Sequence, residues 1–292
     1  MKIVLGPASI ELADKISKFT GIESVSVAHK TFPDGENYIR LESDVEGEHL
    51  VIVQTTCSPQ DSRLIQLAFM AAAAKRNKAK KVTAVVPYLA YARQDKIFLK
   101  GENISIETVS RMLRSAGVDQ LLTVNIHEAN ALKLFPFPAK STSAISLIAN
   151  HFVQKGIENA FALSPDKGAM EIAQQAQQVL KGDVGYLEKS RDRYTGQTTQ
   201  TAAHLGVEGK TVIIFDDIIS TGGTIVGAAK ILQEKGASKI YAACVHGLLI
   251  GDAEKRILDA GVEEIVATDS VPTDKMRVSL APLLSQEIKA LI

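Results

Sequence analysis

Short apolar runs rich in Val and Ile alternate along this chain with longer stretches of helical spacing. The runs are KIVL at 2–5, LVIVQ at 50–54, KVTAVVP at 81–87, LLTVNI at 121–126, AFALS at 160–164, TVIIF at 211–215, KIYAACV at 239–245 and EIVAT at 264–268. Between them the spacing predicts helices over 60–76, 105–116, 142–154, 167–180, 222–235 and 251–260. That alternation predicts an α/β fold built on a mainly parallel sheet flanked by helices. Segment 24–42 breaks the pattern, and its Pro33-Asp34-Gly35 is turn chemistry that predicts a hairpin.

Two internal comparisons suggest that the halves are related. AGVDQLLTVN at 116–125 aligns with AGVEEIVATD at 260–269, and KAKKVTAVVP at 78–87 with GASKIYAACV at 236–245. A chain of 292 residues suits two such domains, expected at 1–145 and 146–292. With 46% hydrophobic and 23% charged residues it reads as a soluble globular protein. Its 33 Lys and Arg balance 33 Asp and Glu, so nothing draws the whole chain to nucleic acid or to an anionic membrane, and any polyanion site must be local. Cys57 and Cys244 stand far apart without C-x-x-C spacing, which argues against a disulfide framework or a thiolate zinc site. The AFMAAAA stretch ends at Lys75 and Arg76, far short of a bilayer span. The first residues hold too short an apolar segment for a signal peptide, so a cytoplasmic address is expected.

The sharpest chemical signal is TVIIFDDIISTGGTI. A buried strand delivers Asp216 and Asp217 at its carboxyl end, where open α/β sheets bind ligands, and Ser220-Thr221-Gly222-Gly223-Thr224 then opens a helix. Glycines let backbone N–H groups approach an anion, Ser220, Thr221 and Thr224 add hydroxyls, and the helix N-terminus adds a favourable dipole. The result is a phosphate cup beside two carboxylates, which themselves suit sugar hydroxyls or a cation. Further strings stand at FPDGE (32–36), YARQDK (91–96), NIHE (125–128), SPDKGA (164–169) and EKSR (188–191). The segment 187–206 is polar and lacks periodicity, so it is expected to be an exposed mobile loop.

The DDIISTGGT string resembles the phosphoribosyl-pyrophosphate motif of type I phosphoribosyltransferases and of ribose-phosphate pyrophosphokinases. The order and spacing of all six strings, over nearly the whole chain, resemble the second family. A phosphoribosyltransferase is usually shorter and has no reason to carry the first two strings. The resemblance implies two phosphoribosyltransferase-type domains and transfer of a pyrophosphoryl group from magnesium-bound ATP to ribose 5-phosphate. It implies an ATP site from Phe32, Asp34, Gly35, Glu36, Arg93 and Gln94. A ribose 5-phosphate site would use Arg191, Asp216, Asp217, Ser220, Thr221, Gly222, Gly223 and Thr224. Lys189 and Arg191 would be catalytic, and His127 and Asp166, each expected to end a strand on the same sheet edge, would be associated with Mg²⁺. It also implies a homo-oligomer, at least a dimer, with the FPDGE loop lent by a neighbouring subunit. Many relatives have an acidic residue at the Ser220 position, Ala at Gly223, Asp-Leu-His at Asn125-Ile126-His127 and His-Gly at Lys167-Gly168, which suggests a divergent, archaeal-type branch.

Overall fold

The computed structural model describes residues 1–191, 198–201 and 205–291, with backbone alone for 189–191 and 198–201. The chain forms two units: Met1–Thr142 with Ser270–Pro272 and Ser279–Ile292, and Ser143–Asp269 with Thr273–Val278. The first unit runs to Thr142, and the C-terminal segment returns to it.

The first unit is built on a six-stranded parallel sheet in the order β2-β1-β5-β6-β7-β8. Its strands are β1 (Lys2–Leu5), β2 (Ser24–Val25), β5 (His49–Val53), β6 (Lys81–Val86), β7 (Gln120–Val124) and β8 (Ala139–Thr142). Covered on both faces, β5 and β6 are buried at nearly every position, as their unbroken apolar runs require. Helices α1 (Ile10–Thr20), α2 (Gln60–Arg76), α3 (Ser105–Ser115) and the C-terminal α8 (Ala281–Lys289) belong to this unit. The expected hairpin is present as β3 (Val27–Thr31) and β4 (Asn37–Leu41), paired antiparallel from Val27↔Leu41 to Thr31↔Asn37. Ile39 and Leu41 fasten it to the core.

The second unit repeats the plan with six parallel strands in the order β10-β9-β13-β14-β15-β16. They are β9 (Phe161–Ser164), β10 (Val184–Tyr186), β13 (Thr211–Ile219), β14 (Lys239–Gly247), β15 (Glu264–Thr268) and β16 (Met276–Val278). Its helices are α4 (Ile145–Gln154), α5 (Met170–Leu180), α6 (Gly223–Glu234) and α7 (Ala253–Asp259). Where a long loop was expected, a polar antiparallel ribbon stands instead, β11 (Glu188–Arg191) on β12 (Thr198–Thr201), and residues 192–197 and 202–204 lie outside those described. Its strands carry no apolar face, which is why hydrophobic patterning does not reveal them.

The sheet registers agree with the internal repeat residue for residue. His49 partners Lys81 as Thr211 partners Lys239, and Thr83 partners Gln120 as Tyr241 partners Glu264. Helices α1 and α8 escaped the sequence reading because each has only a narrow apolar stripe, Leu12, Ala13 and Ile16 on one and Ala281, Leu284 and Ile288 on the other. They pack together across most of the chain length, with Lys289 Nζ donating to the Phe19 carbonyl at 3.3 Å.

His49 provides a test of how the first sheet is held. Its Nε2 lies 2.8 Å from Thr83 Oγ1. Burial, reinforced by the positive charges of Lys81 and the N-terminus, lowers its pKa to about 4. Unfolded, it would titrate near 6.5, so between about pH 6.5 and 4 the unfolded chain takes up a proton that the folded chain refuses. Urea denaturation should therefore show stability falling as pH drops over that interval, by on the order of 1 to 2 kcal/mol from this group after allowance for partial exposure. His49→Gln should flatten the fall, and an unchanged slope in that variant would assign it to other groups.

Candidate functional site

The chemistry of the second unit gathers where the strand order reverses, between β9 and β13, the point at which open parallel sheets leave a crevice. The β9 ladder on β13 stops at Ile214↔Leu163, whereas pairing with β14 runs on to Ile219↔Gly247. Asp216 and Asp217 thus lie beyond the cover of β9, at the end of an apolar strand that fixes their backbone. Asp216 Oδ1 accepts the Asp217 N–H at 2.9 Å and Asp217 Oδ1 the Ile218 N–H at 2.8 Å. Burial, and then the negative charges of Asp217 and Asp166, push the Asp216 carboxyl well above the usual range. Beside it in register, the Cys244 thiol is pushed up by burial and stays an inert core group.

Asp166 follows β9 and caps the 3₁₀ turn Lys167–Ala169 that leads into α5. Its Oδ1 accepts the N–H groups of Gly168 at 2.9 Å and Ala169 at 3.2 Å. One oxygen is thereby pinned and the carboxylate plane is set. The sequence reading missed this capping role, although an Asp two and three residues ahead of donors at a helix start is its usual signal.

Gly222 is the N-cap of α6 with φ +78°, and a Cβ there would stand 2.9 Å from Ile257 Cδ1 and 3.4 Å from the Ala253 carbonyl. A Cβ at Gly223 would meet nothing within 4 Å, consistent with a residue on the open side of the turn. A second loop clasps the cup: Leu248 and Leu249 N–H both donate to the Ile219 carbonyl at 2.9 and 3.1 Å, and Ile250 N–H donates to the Ser220 carbonyl at 3.0 Å. With those carbonyls engaged and the first α6 N–H groups lacking intrahelical partners, the turn can receive an anion. Thr221 and Gly223 are exposed, and Ser220 and Thr224 are half-buried. The backbones of Lys189 and Arg191 lie on β11, and their side chains are outside the described residues.

The first unit brings its candidates to the carboxyl ends of its own strands. The loop 32–36 closes the β3–β4 hairpin through Phe32 N–H to the Glu36 carbonyl at 2.8 Å and Glu36 N–H to Asp34 Oδ1 at 3.2 Å. Gly35 takes φ +94°, which explains the glycine. Phe32 is 37% exposed, with Lys30 Nζ 4.7 Å from its ring centroid. Lys30 sits two residues before Phe32, the spacing that puts strand side chains on one face, and the sequence reading overlooked it. Arg93 is exposed in the turn after β6. The side-chain oxygen of Gln94 instead accepts from Ser105 Oγ at 2.7 Å, at the start of α3. His127 is exposed beyond β7, after Asn125, whose φ of +37° suits an asparagine. His127 and Asp166 do not share a sheet edge as expected: they follow strands of different sheets. Among the described residues no group of three or more His, Cys, Asp or Glu is arranged to hold a metal ion.

A cavity of about 550 Å³ lies elsewhere, along edge strand β10. Its walls run along that edge, from Phe161, Val184 and Lys210 at the start of β9, β10 and β13 to Tyr186 and Glu188 at the other end. No helix among the described residues is long and apolar enough to cross a membrane.

A duplicated parallel sheet with an acidic strand end running into a Gly-Thr phosphate turn defines a protein of the phosphoribosyl-binding class. Comparison with known proteins narrows this. Residues 1–117 match the N-terminal domain of ribose phosphate pyrophosphokinase, and residues 201–292 match the phosphoribosyl synthetase-associated domain. A ribose-phosphate pyrophosphokinase from Sulfolobus acidocaldarius is 39% identical over 96% of this chain and 96% of its own. One from Methanothermobacter thermautotrophicus is 40% identical over 97% and 98%. The crystal structure of phosphoribosylpyrophosphate synthetase from Mycobacterium smegmatis superposes with a TM-score of 0.88 at 31% identity, covering 100% of this chain and 98% of that one. The chain belongs to the ribose-phosphate pyrophosphokinase family.

Two substitutions probe the geometry of the cup. Gly222→Ala should cost about 1 to 3 kcal/mol through its positive φ and the Ile257 contact, and should weaken binding of ribose 5-phosphate. Gly223→Ala should leave both stability and binding nearly unchanged. Calorimetric titration with thermal unfolding checks the pair, and equal effects would contradict the described turn. The acidic pair yields a second expectation. Because folding raises the Asp216 pKa, its contribution favours the folded state below the unfolded pKa and is lost as pH rises through the folded one. Asp216→Asn should therefore raise the Tm of the ligand-free protein at pH 8 while weakening sugar-phosphate binding.

Proposed function

We propose that this chain transfers the pyrophosphoryl group of ATP to the 1-hydroxyl of ribose 5-phosphate, giving 5-phosphoribosyl 1-pyrophosphate and AMP. The observation that carries the reading is the phosphate turn set directly after two carboxylates on one strand, in a chain that belongs to this family over both units. The sugar oxygen attacks the β-phosphorus, the bond from that phosphorus to the α-phosphate bridging oxygen breaks, and the hydroxyl proton is released. The backbone N–H groups and hydroxyls of Ser220–Thr224 hold the 5-phosphate. Asp216 and Asp217 accept hydrogen bonds from ribose hydroxyls, which orients the attacking oxygen. Lys189 and Arg191 supply positive charge to the group in transfer, where electrostatic stabilisation contributes most. Arg191 also contacts the sugar phosphate. Phe32 stacks on adenine, Asp34 and Glu36 accept from its amino group across the turn at Gly35, and Arg93 and Gln94 contact the ATP phosphates.

When bound, magnesium would neutralise charge on the group in transfer. Asp166 and Asp216 would offer the carboxylate oxygens that a hard cation takes, Asp166 with one oxygen already pinned by N–H groups. His127 contributes more weakly, since such a cation takes nitrogen poorly. The working form is at least a dimer, with the 32–36 loop completing the site of a neighbouring subunit, in a cytoplasmic setting.

Purified protein given ATP, ribose 5-phosphate and Mg²⁺ should produce AMP and 5-phosphoribosyl 1-pyrophosphate in equal amounts by ³¹P NMR. Formation of no AMP would favour a phosphoribosyltransferase. Lys189→Ala should lower kcat by roughly 10²-fold with little change in either KM, and a near-normal kcat would remove Lys189 from the mechanism. Mixing that variant with a Phe32→Ala, Glu36→Ala chain should restore part of the activity, and no recovery after proven subunit exchange would refute the shared site.

A further inference from the structure

The matched registers of the two sheets reveal a different use of one position. Five residues beyond His49 stands Gln54, as five beyond Thr211 stands Asp216, and Gln54 N–H donates to the Val85 carbonyl at 3.0 Å to continue the strand. The first unit therefore has a neutral amide where the second has the Asp216 carboxyl. Gln54 is 0% exposed and Gln66, on α2, 2%. Buried amides of this kind are costly unless every donor and acceptor is matched, so their partners define their work.

Those partners form one path. Ala8 N–H donates to Gln54 Oε1 at 2.9 Å, and Gln54 Nε2 donates to Gln66 Oε1 at 3.1 Å. Gln66 Nε2 in turn donates to Asn37 Oδ1 at 2.8 Å, and Asn37 Nδ2 donates to Ser62 Oγ at 3.0 Å. Arg63 Nη1 adds a second donor to Gln66 Oε1 at 3.1 Å, which fixes which end of that amide faces which neighbour. Asn37 is the residue that closes the hairpin, paired with Thr31 and following Glu36 directly. The path thus begins at the carboxyl ends of β1 and β5 and ends at the base of the 32–36 loop.

We propose that Gln54 and Gln66 are positioning residues for ATP, an inference that rests on the reading of 32–36 as the nucleotide loop. A hairpin tip without apolar contacts of its own splays on its strands. A buried amide pair joining its closing residue to the rigid sheet removes that freedom, so Phe32 and Glu36 meet the base already oriented. The cup lies in the other unit and shares none of these bonds.

The test is steady-state kinetics on the full-length protein with Mg²⁺ present, varying each substrate separately. Gln66→Met keeps length and volume but removes both ends of the relay, and should raise the KM for ATP by about 5- to 30-fold, the size expected for stranding a buried partner. kcat at saturating ATP and the KM for ribose 5-phosphate should stay within about twofold of the parent. Asn37→Ala, at the half-buried end of the path and so less threatening to folding, should act in the same direction, and the double variant should be no worse than the more affected single one. Additive effects, or equal rises in both KM values, would show a general packing role and overturn the inference. The Phe32→Ala, Glu36→Ala chain separates the two levels. If it raises the KM for ATP while Gln66→Met does not, the inference alone fails. If it leaves that KM unchanged, the nucleotide-loop reading fails and takes the inference with it.

Discussion

Asp216 stands at the end of a buried strand, where burial and the charges of Asp217 and Asp166 oppose its ionisation, and the second unit is arranged around that constraint. Asp216 and Asp217 cannot withdraw into the core, because β13 is apolar and covered up to Phe215. They cannot disperse either, because pairing with β14 fixes the backbone as far as Ile219. Asp166, pinned by two N–H groups, adds a third negative charge within reach.

The two sheets are one plan put to two uses. In the second unit the strand ends at the switch point stay polar and charged, and the following turn is open. In the first, the equivalent strand end is an amide held between Ala8 and Gln66, and the chain continues through Pro59 into α2 without a Gly-Thr turn. Closing one crevice makes it a rigid footing, on which a projecting hairpin can be mounted without loss of definition. A long hairpin on an open crevice would have had no such support.

The strands buried on both faces were legible because their apolar runs have no other stable use, and both ends of α2 were legible from spacing. The repeat was legible too, since the aligned decapeptides sit in matching registers. What escaped depended on distant partners. Helices α1 and α8 each carry half a stripe that makes sense only when they meet, and β10 and β16 are short edge strands of three residues each. At the site, motif residues at strand ends could be found from sequence, because the strand itself marks the place. The clasp from Leu248 to Ile250 and the Gln54–Gln66 pair could not. Their roles come from neighbours that no spacing rule names.

The return of Ser270–Pro272 and Ser279–Ile292 to the first unit makes the second, in topological terms, an insertion. Thr55 Oγ1, beside the buried amide at the end of β5, donates to the Ser270 carbonyl at 2.6 Å, so the earlier part of the chain receives a late contribution deep in its structure. On the ribosome, the residues of β9 to β15 emerge before α8 exists to cover α1. Vectorial synthesis therefore favours maturation of the inserted body ahead of the one that begins the chain.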